Sequence, residues 1–529
     1  MTLRQGDAHE LGGEDLPARV ADLSTLRLAQ GAKASFVGNV VERVLGLALF
    51  VALPFLIPFR TLGVYYEVVA VLTLASTVGT LGLDVGVVRF TALAGDSGNH
   101  GHIRSLLKAG LLMGAVSSVT LAVGLWVAAP ALGRAFHSGQ FAGALRLGVL
   151  AVPVLASLSV LVAPGKGVKS MWPAVVSIQM TQPAVQLAVT AILAAGGLAL
   201  GGAVGAFVVS AAVSWAVGWG MLRRLRLPRS ELSARPLAGP LIRFSAPVAG
   251  MVLTGTLLLW VDTLLLGAFR SATEVAAYGI VVRLVAAATG VLATVIQIFG
   301  PFVTQLVTRG DLSRLRGVLH TATRWTLLLS APLLILLMLV GPGLLGLFKR
   351  PLGSAKVGLV VLAAAFLADA LTGPVGHVLT MSGRSGLNLA NNAAAVAGNV
   401  ALNLVLIPRF GIVGAAISWA VAIVGVNLVR IIQVWRLYRI TPFGAGLWKP
   451  AVAAAGAAVA GSGLKEVLAV RGVGPGLILG LVAVFFLAVY GGITILLGVE
   501  PDDRVLVRTL VRPRASVSRP VQVAAGVRA

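Results

Sequence analysis

The chain has 529 residues, of which 57% are hydrophobic and only 11% charged, and its mean hydropathy is +0.95. A soluble fold of this length needs far more polar surface, so the composition predicts a polytopic membrane protein. There is no cysteine, which excludes disulfides, thiol nucleophiles and thiolate metal sites.

Residues 1–34 carry Asp7, Glu10, Glu14, Asp15 and Asp22 and have no apolar stretch before Ser35. They read as a cytoplasmic tail rather than a signal peptide, with a short amphipathic helix near Leu23–Leu28 and plain disorder as the two alternatives. From there, apolar runs long enough to cross lipid recur at 35–57, 66–93, 106–129, 141–163, 171–196, 201–221, 241–268, 275–306, 325–347, 357–380, 387–407, 411–434, 447–464 and 474–498. The expected fold is therefore all-α, with about 14 transmembrane helices. The fifth and sixth runs are divided only by AAGGLALGG, whose glycines predict a tight turn.

The first run sets the functional question. Asn39, Glu42, Arg43 and Gly46 are spaced i, i+3, i+4, i+7 and share one face of a helix. Each charge at bilayer depth costs roughly 2.5–3.5 kcal/mol on insertion scales, so such a face is expected to look into a bundle or a wet cavity.

The Lys and Arg residues cluster in alternate loops. The heaviest groups are RRLRLPR at 223–229, RGDLSRLR at 309–316 and the tail from Arg504 to Arg528. This pattern predicts both termini in the cytoplasm, and it accounts for the net charge of +24 as positive-inside topology, with contact to anionic membrane lipids second and no nucleic-acid partner. No segment between spans is long enough to hold a soluble catalytic domain, so no enzyme activity is expected.

The two halves resemble each other weakly. FRTLGVYYEVVAVL at 59–72 aligns with FRSATEVAAYGIVVRL at 269–284, Gly95-Asp96 with Gly310-Asp311, and GGAVGAF at 201–207 with FGIVGAAI at 410–417. Six helices are thus repeated in parallel, which places a substrate site between two pseudo-symmetric lobes. The expected organisation is a tail over 1–34, an N-lobe over 35–221, a basic linker over 222–240, a C-lobe over 241–440, two appended helices within 441–498, and a basic tail over 499–529.

Together, LGLDVGVVRFTAL at 81–93, FSAPVAG at 244–250, VDTLLLGAF at 261–269, YGIVVRL at 278–284 and NLVLIPRFGIVGAAIS at 403–418 make the chain resemble a known family over about residues 35–440. It is similar to the polysaccharide and O-antigen flippases of the multidrug/oligosaccharidyl-lipid/polysaccharide exporter superfamily. The resemblance implies two six-helix lobes in a V around a central cavity, as in the multidrug antiporters and the lipid II flippase. It also implies transport of an undecaprenyl-diphosphate-linked oligosaccharide across a bacterial cytoplasmic membrane, driven by an ion gradient or potential and needing no cofactor. A polysaccharide polymerase and a chain-length regulator are the implied protein partners.

Such a cargo needs cations for its diphosphate and hydrogen-bonding groups for its sugars. Arg43, Arg89 and Arg283, on helices 1, 2 and 8, are the expected diphosphate ligands, because a guanidinium fork meets two phosphate oxygens at once. The alternative is local pairing, Arg43 with Glu42 for example, or snorkelling of Arg89 to headgroups. The sugar-contacting candidates are Asn39, Gln179, Gln182, Gln186, Gln297 and the stripe Asn388, Asn391, Asn392, Asn399 and Asn403, since amides both donate and accept. Bonding between helices is the competing reading. Glu42, Asp84, Asp262 and Asp369 are candidates for ion coupling or for charge balance, and Pro54, Pro153, Pro183, Pro247 and Pro332 for bend points.

A drug/cation antiporter of the same fold is the alternative function, and three cavity arginines argue against it. A membrane glycan polymerase or ligase, and a non-transporting assembly scaffold, stand as readings of other classes.

Overall fold

A computed structural model describes residues 37–96, 101–168, 170–224, 235–346 and 352–498, with the side chains of 95–96, 101, 235–237, 290–298 and 300–302 outside that description. The expected terminal tails, most of the inter-lobe linker and the side chain of Gln297 lie outside the described residues.

Fourteen helices of spanning length are present among the described residues. The first six are α1 (Val37–Leu56), α2 (Phe59–Ala94), α3 (His102–Ala135), α4 (Gly139–Gly167), α5 (Trp172–Ala195) and α6 (Leu200–Arg224). The next six are α7 (Ala238–Phe269), α8 (Ala272–Arg309), α9 (Leu312–Gly346), α10 (Gly353–Thr372), α11 (Ser385–Phe410) and α12 (Ile412–Tyr438). The last two are α13 (Ala445–Val470) and α14 (Pro475–Leu496). Helices α1–α6 and α7–α12 form two lobes around a central cavity.

The helices outrun the apolar stretches that reveal them. Helix α9 starts at Leu312, thirteen residues before the apolar run at 325, because its first turns carry Arg314, Arg316, His320 and Arg324 yet are held by helix packing. The span read at 357–380 is broken at Gly373–Pro374 into α10 and a short helix, Val375–Met381. Helix α2 is broken too, at Leu81 (φ 52°) and Gly82 (φ 65°), with no proline involved. Gly82 has a second constraint there: a Cβ on it would lie 2.6 Å from the Ser245 carbonyl oxygen of α7.

The lobes meet mainly along α2, which packs on both α7 and α8. Tyr66, Tyr278, Leu62 and Val281 are fully buried in this core. At the end where α1 turns into α2, the two backbones nearly touch: a Cβ on Gly63 would sit 1.7 Å from the Ala272 carbonyl oxygen. Glycine is required by that approach.

The appended pair α13–α14 packs on α9. Pro332 in α9 has no N–H for the carbonyl of Leu328, one turn earlier. The Tyr490 hydroxyl of α14 donates to that oxygen at 2.8 Å, so the appended helix satisfies the proline's orphan. Tyr490→Phe leaves the carbonyl unbonded in an apolar setting and is expected to lower unfolding stability by about 1 kcal/mol. A thermal melt of the purified variant reads this directly.

Candidate functional site

One face of α1 opens onto a cavity of about 820 Å³ between the lobes. Asn39, Glu42, Arg43 and Gly46 line it, as the spacing in the sequence requires. Opposite stand Tyr65 of α2, Gln182 and Gln186 of α5, Trp260 of α7 and Arg283 of α8. Two arginines and one glutamate make these walls net positive.

The two arginines are held differently. Arg283 lies over the Tyr66 ring at 3.9 Å and faces the Trp260 ring at 5.7 Å. Its Nη1 donates to the Gly279 carbonyl at 3.3 Å. The aromatic faces fix the guanidinium by cation–π attraction and leave most of its donors unspent. Arg43 is exposed to the cavity, and among the described residues no carboxylate lies within 4 Å of either guanidinium. Local pairing of Arg43 with Glu42 is therefore not seen at ion-pair distance.

The amides of α5 are oriented by the helix itself. Residues Val175–Thr181 form a π-helical turn followed by Pro183, which cannot donate to the carbonyl of Gln179 and crowds it. The wider turn places Gln182 and Gln186 on the cavity wall. Gln179 Nε2 donates to Asn39 Oδ1 at 2.7 Å, tying α5 to α1, and Gln186 Nε2 donates to the Tyr65 hydroxyl at 2.7 Å.

A smaller recess of about 280 Å³ shares Gln182, Ile178 and Phe207 with the main cavity. Asp84 lines it, together with Thr73, Ser76, Thr77 and Thr80 of α2. This hydroxyl ridge was legible as the i, i+3, i+4, i+7 run in TLASTVGT but was not read from the sequence.

Other expected residues are placed elsewhere. Arg89 does not reach the central cavity; it lies over the Phe244 ring at 4.3 Å in a separate recess. The α11 asparagines face neighbouring helices rather than the cavity. Asn403 Nδ2 donates to Asp262 Oδ1 at 2.6 Å and to Asn399 at 3.0 Å, while the Tyr278 hydroxyl donates to Asp262 Oδ2 at 2.9 Å. Asn391 and Gln433 exchange two bonds, of 2.6 and 2.9 Å. Arg430 of α12 donates to Asn388 at 3.1 Å, to Asn427 at 2.9 Å and to Asn392. Asn427 in turn donates to Asp369. Asp262 and Asp369 are thus bonded within the C-lobe and do not line the cavity: Asp262 is held by the neutral Asn403 and Tyr278, and Asp369 by Asn427, which itself accepts from Arg430.

Arg430 was not among the residues singled out from the sequence. The signal passed over is the spacing of Asn427, Arg430 and Gln433, three apart on α12. Also passed over is Glu67 of α2, which is fully buried against Gly267 of α7 with neither carboxyl oxygen hydrogen-bonded. Burying an unpaired carboxyl is costly, and an apolar side chain of similar length removes that cost. Glu67→Met is expected to raise the thermal stability of the purified protein by about 1 kcal/mol or more.

Comparison with known proteins places this geometry in context. Residues 28–307 match the profile of the polysaccharide biosynthesis protein family, which is more than half of the chain. A probable low-salt glycan biosynthesis flippase, Agl15 of Haloferax volcanii, is 25% identical over 164 residues, which cover 31% of this chain and 35% of that protein. The chain thus matches about a third of that relative's length. In fold it is similar to the lipid II flippase MurJ in an inward-closed conformation, with a TM-score of 0.69 over 92% of this chain and all of that one at 11% identity. An inward-facing multidrug resistance MATE transporter of the MOP superfamily gives a TM-score of 0.59 at 12% identity, over 74% of this chain and 98% of that one. The matched profile covers more than half of the chain and the two-lobed fold agrees with the flippase and antiporter structures: this chain belongs to the polysaccharide biosynthesis protein family.

Proposed function

We propose that the chain moves an undecaprenyl-diphosphate-linked oligosaccharide from the inner to the outer leaflet of the cytoplasmic membrane by alternating access. The observation that carries this reading is the pair Arg43 and Arg283, facing one cavity with no carboxylate within 4 Å of either guanidinium among the described residues. A diphosphate leaving water needs cations in a low-dielectric site, where each charge-assisted bond is roughly twice as strong as a neutral one. The amides Asn39, Gln182 and Gln186, with the Asp84 and hydroxyl recess beside them, suit sugar hydroxyl and N-acetyl groups. The lipid tail stays in the bilayer. With both termini cytoplasmic, as the basic loops predict, the Gly63–Ala272 contact is the outer gate and holds the lobes closed to the outside. An ion gradient or the membrane potential resets the cycle, with Glu42 and Asp84 the carboxylates nearest the cargo. A net-positive cavity disfavours cationic drugs.

The reading is tested in host cells deleted for the gene. Surface glycan is expected to disappear and the lipid-linked precursor to accumulate on its synthesis side, with both restored by the full chain. Normal surface glycan in the deletion strain, with no compensating transporter, contradicts it.

A further inference from the structure

The recess that holds Arg89 has no part in the central cavity. It has a volume of about 660 Å³ and lies between the last turns of α2 and the first turns of α7, lined by Arg89 and Phe90 on one helix and by Gly239, Pro240, Arg243 and Phe244 on the other. We propose that this recess is a second, separate binding site for the phosphate head of a membrane lipid, with Arg89 and Arg243 as its cationic ligands.

Three observations carry the assignment. First, both arginines are exposed to the recess, and among the described residues neither has a carboxylate within 4 Å. Two guanidiniums lining one concavity repel each other and are stabilised by a bound anion. Second, the floor is aromatic: Phe90 and Phe244 meet edge to face at 6.1 Å, and Phe244 carries the Arg89 guanidinium at 4.3 Å. Stacking on one face leaves the fork of Arg89 free at its edge, and the rings offer apolar contact to the first carbons of a chain. Third, the depth is right for a headgroup. Arg89 is five residues from Ala94 and Arg243 five from Ala238, the facing ends of their spans. At 1.5 Å per residue both lie about 8 Å inside the apolar spans, in helices that run on to Asp96 and start at Arg235, so the recess sits near the membrane surface at the ends of both helices. Beneath the recess α2 and α7 close tightly, since a Cβ on Gly86 would fall against the Ser245 hydroxyl, so the head is held at the surface and not admitted between the lobes.

The shared chemistry is a lipid phosphate head of net negative charge, which zwitterionic phosphatidylcholine lacks, and it has two sources: the anionic phospholipid of the bilayer or an isoprenoid diphosphate of the cargo type. The inference does not rest on the transport reading. The test measures lipid retention by native mass spectrometry of the full-length protein with phosphatidylglycerol, farnesyl diphosphate and, as a control, phosphatidylcholine. Arg89→Gln/Arg243→Gln is expected to lose about tenfold or more of the retention of at least one phosphate lipid, while Arg43→Ala/Arg283→Ala keeps a retained fraction that the first pair lacks. Loss confined to phosphatidylglycerol identifies bulk phospholipid as the occupant, and loss confined to farnesyl diphosphate identifies the cargo head. Retention of both lipids at the unmutated level, or equal retention of phosphatidylcholine, overturns the proposal. Arg243→Gln alone leaves the Arg89–Phe244 stack intact and serves if the double variant does not fold.

Discussion

Arg43→Ala and Arg283→Ala each remove one cationic wall of the cavity and are expected to abolish surface glycan in a host lacking the unmutated gene, while the protein still folds and inserts. The folding half of this expectation follows from their partners. Arg43 bonds to nothing among the described residues, and Arg283 makes one backbone bond to its own helix at Gly279. Neither anchors one helix to another by a hydrogen bond. The functional half follows from desolvation: hydrogen bonds to a charged group are worth about 1.5–3 kcal/mol, so each loss weakens diphosphate binding about 10- to 150-fold. Arg283→Lys separates charge from shape. A lysine keeps the charge but loses the fork that lies between the Tyr66 and Trp260 rings, and it is expected to restore export only in part. The assay is surface glycan per cell, normalised to membrane-inserted protein.

The second large effect is mechanical. Gly63→Val puts a branched side chain where a single Cβ already falls 1.7 Å from the Ala272 carbonyl oxygen. Backbone blocks it, so no rotamer relieves the clash, and the start of α8 must move away from α2. Overpacking of this kind costs about 1–3 kcal/mol or more, enough to shift a two-state equilibrium about 5- to 150-fold against the observed closure. Gly63→Ala produces the same shift in smaller measure. The chain has no cysteine, so Arg60→Cys and Thr273→Cys, both exposed at this end, accept spin labels without background. The label distance is expected to lengthen in Gly63→Val relative to the unmutated chain. An unchanged distance with normal export contradicts a gate at this contact.

What the sequence discloses depends on what each residue answers to. Hydropathy answers to lipid, and all fourteen spans were legible. So was the face of α1, because a charge at bilayer depth has few tolerable directions. The partner of a polar face was less legible. Asn388, Asn391, Asn392, Asn399 and Asn403 share a stripe, but periodicity states that a stripe exists and not what it meets; it meets Arg430, Gln433 and Asp262. Arg89 lies on the same helix as Tyr65, but the break at Leu81–Gly82 separates its turn from the cavity turn. The break in α2 lies at two left-handed residues, where no proline marked it in the sequence. Glu67 gave no signal because it stands alone, beside two tyrosines in a run that otherwise reads as helix core.

The central claim is that the two-arginine cavity carries a lipid diphosphate across the bilayer. Its most direct test is reconstitution of the purified chain into proteoliposomes containing a fluorescent polyprenyl-diphosphate oligosaccharide, with an impermeant quencher reporting the leaflet, under imposed ion gradients and membrane potential. Transfer between leaflets by the unmutated chain, lost in Arg43→Ala/Arg283→Ala, is the predicted result. Equal transfer by the unmutated chain and by Arg43→Ala/Arg283→Ala contradicts the account.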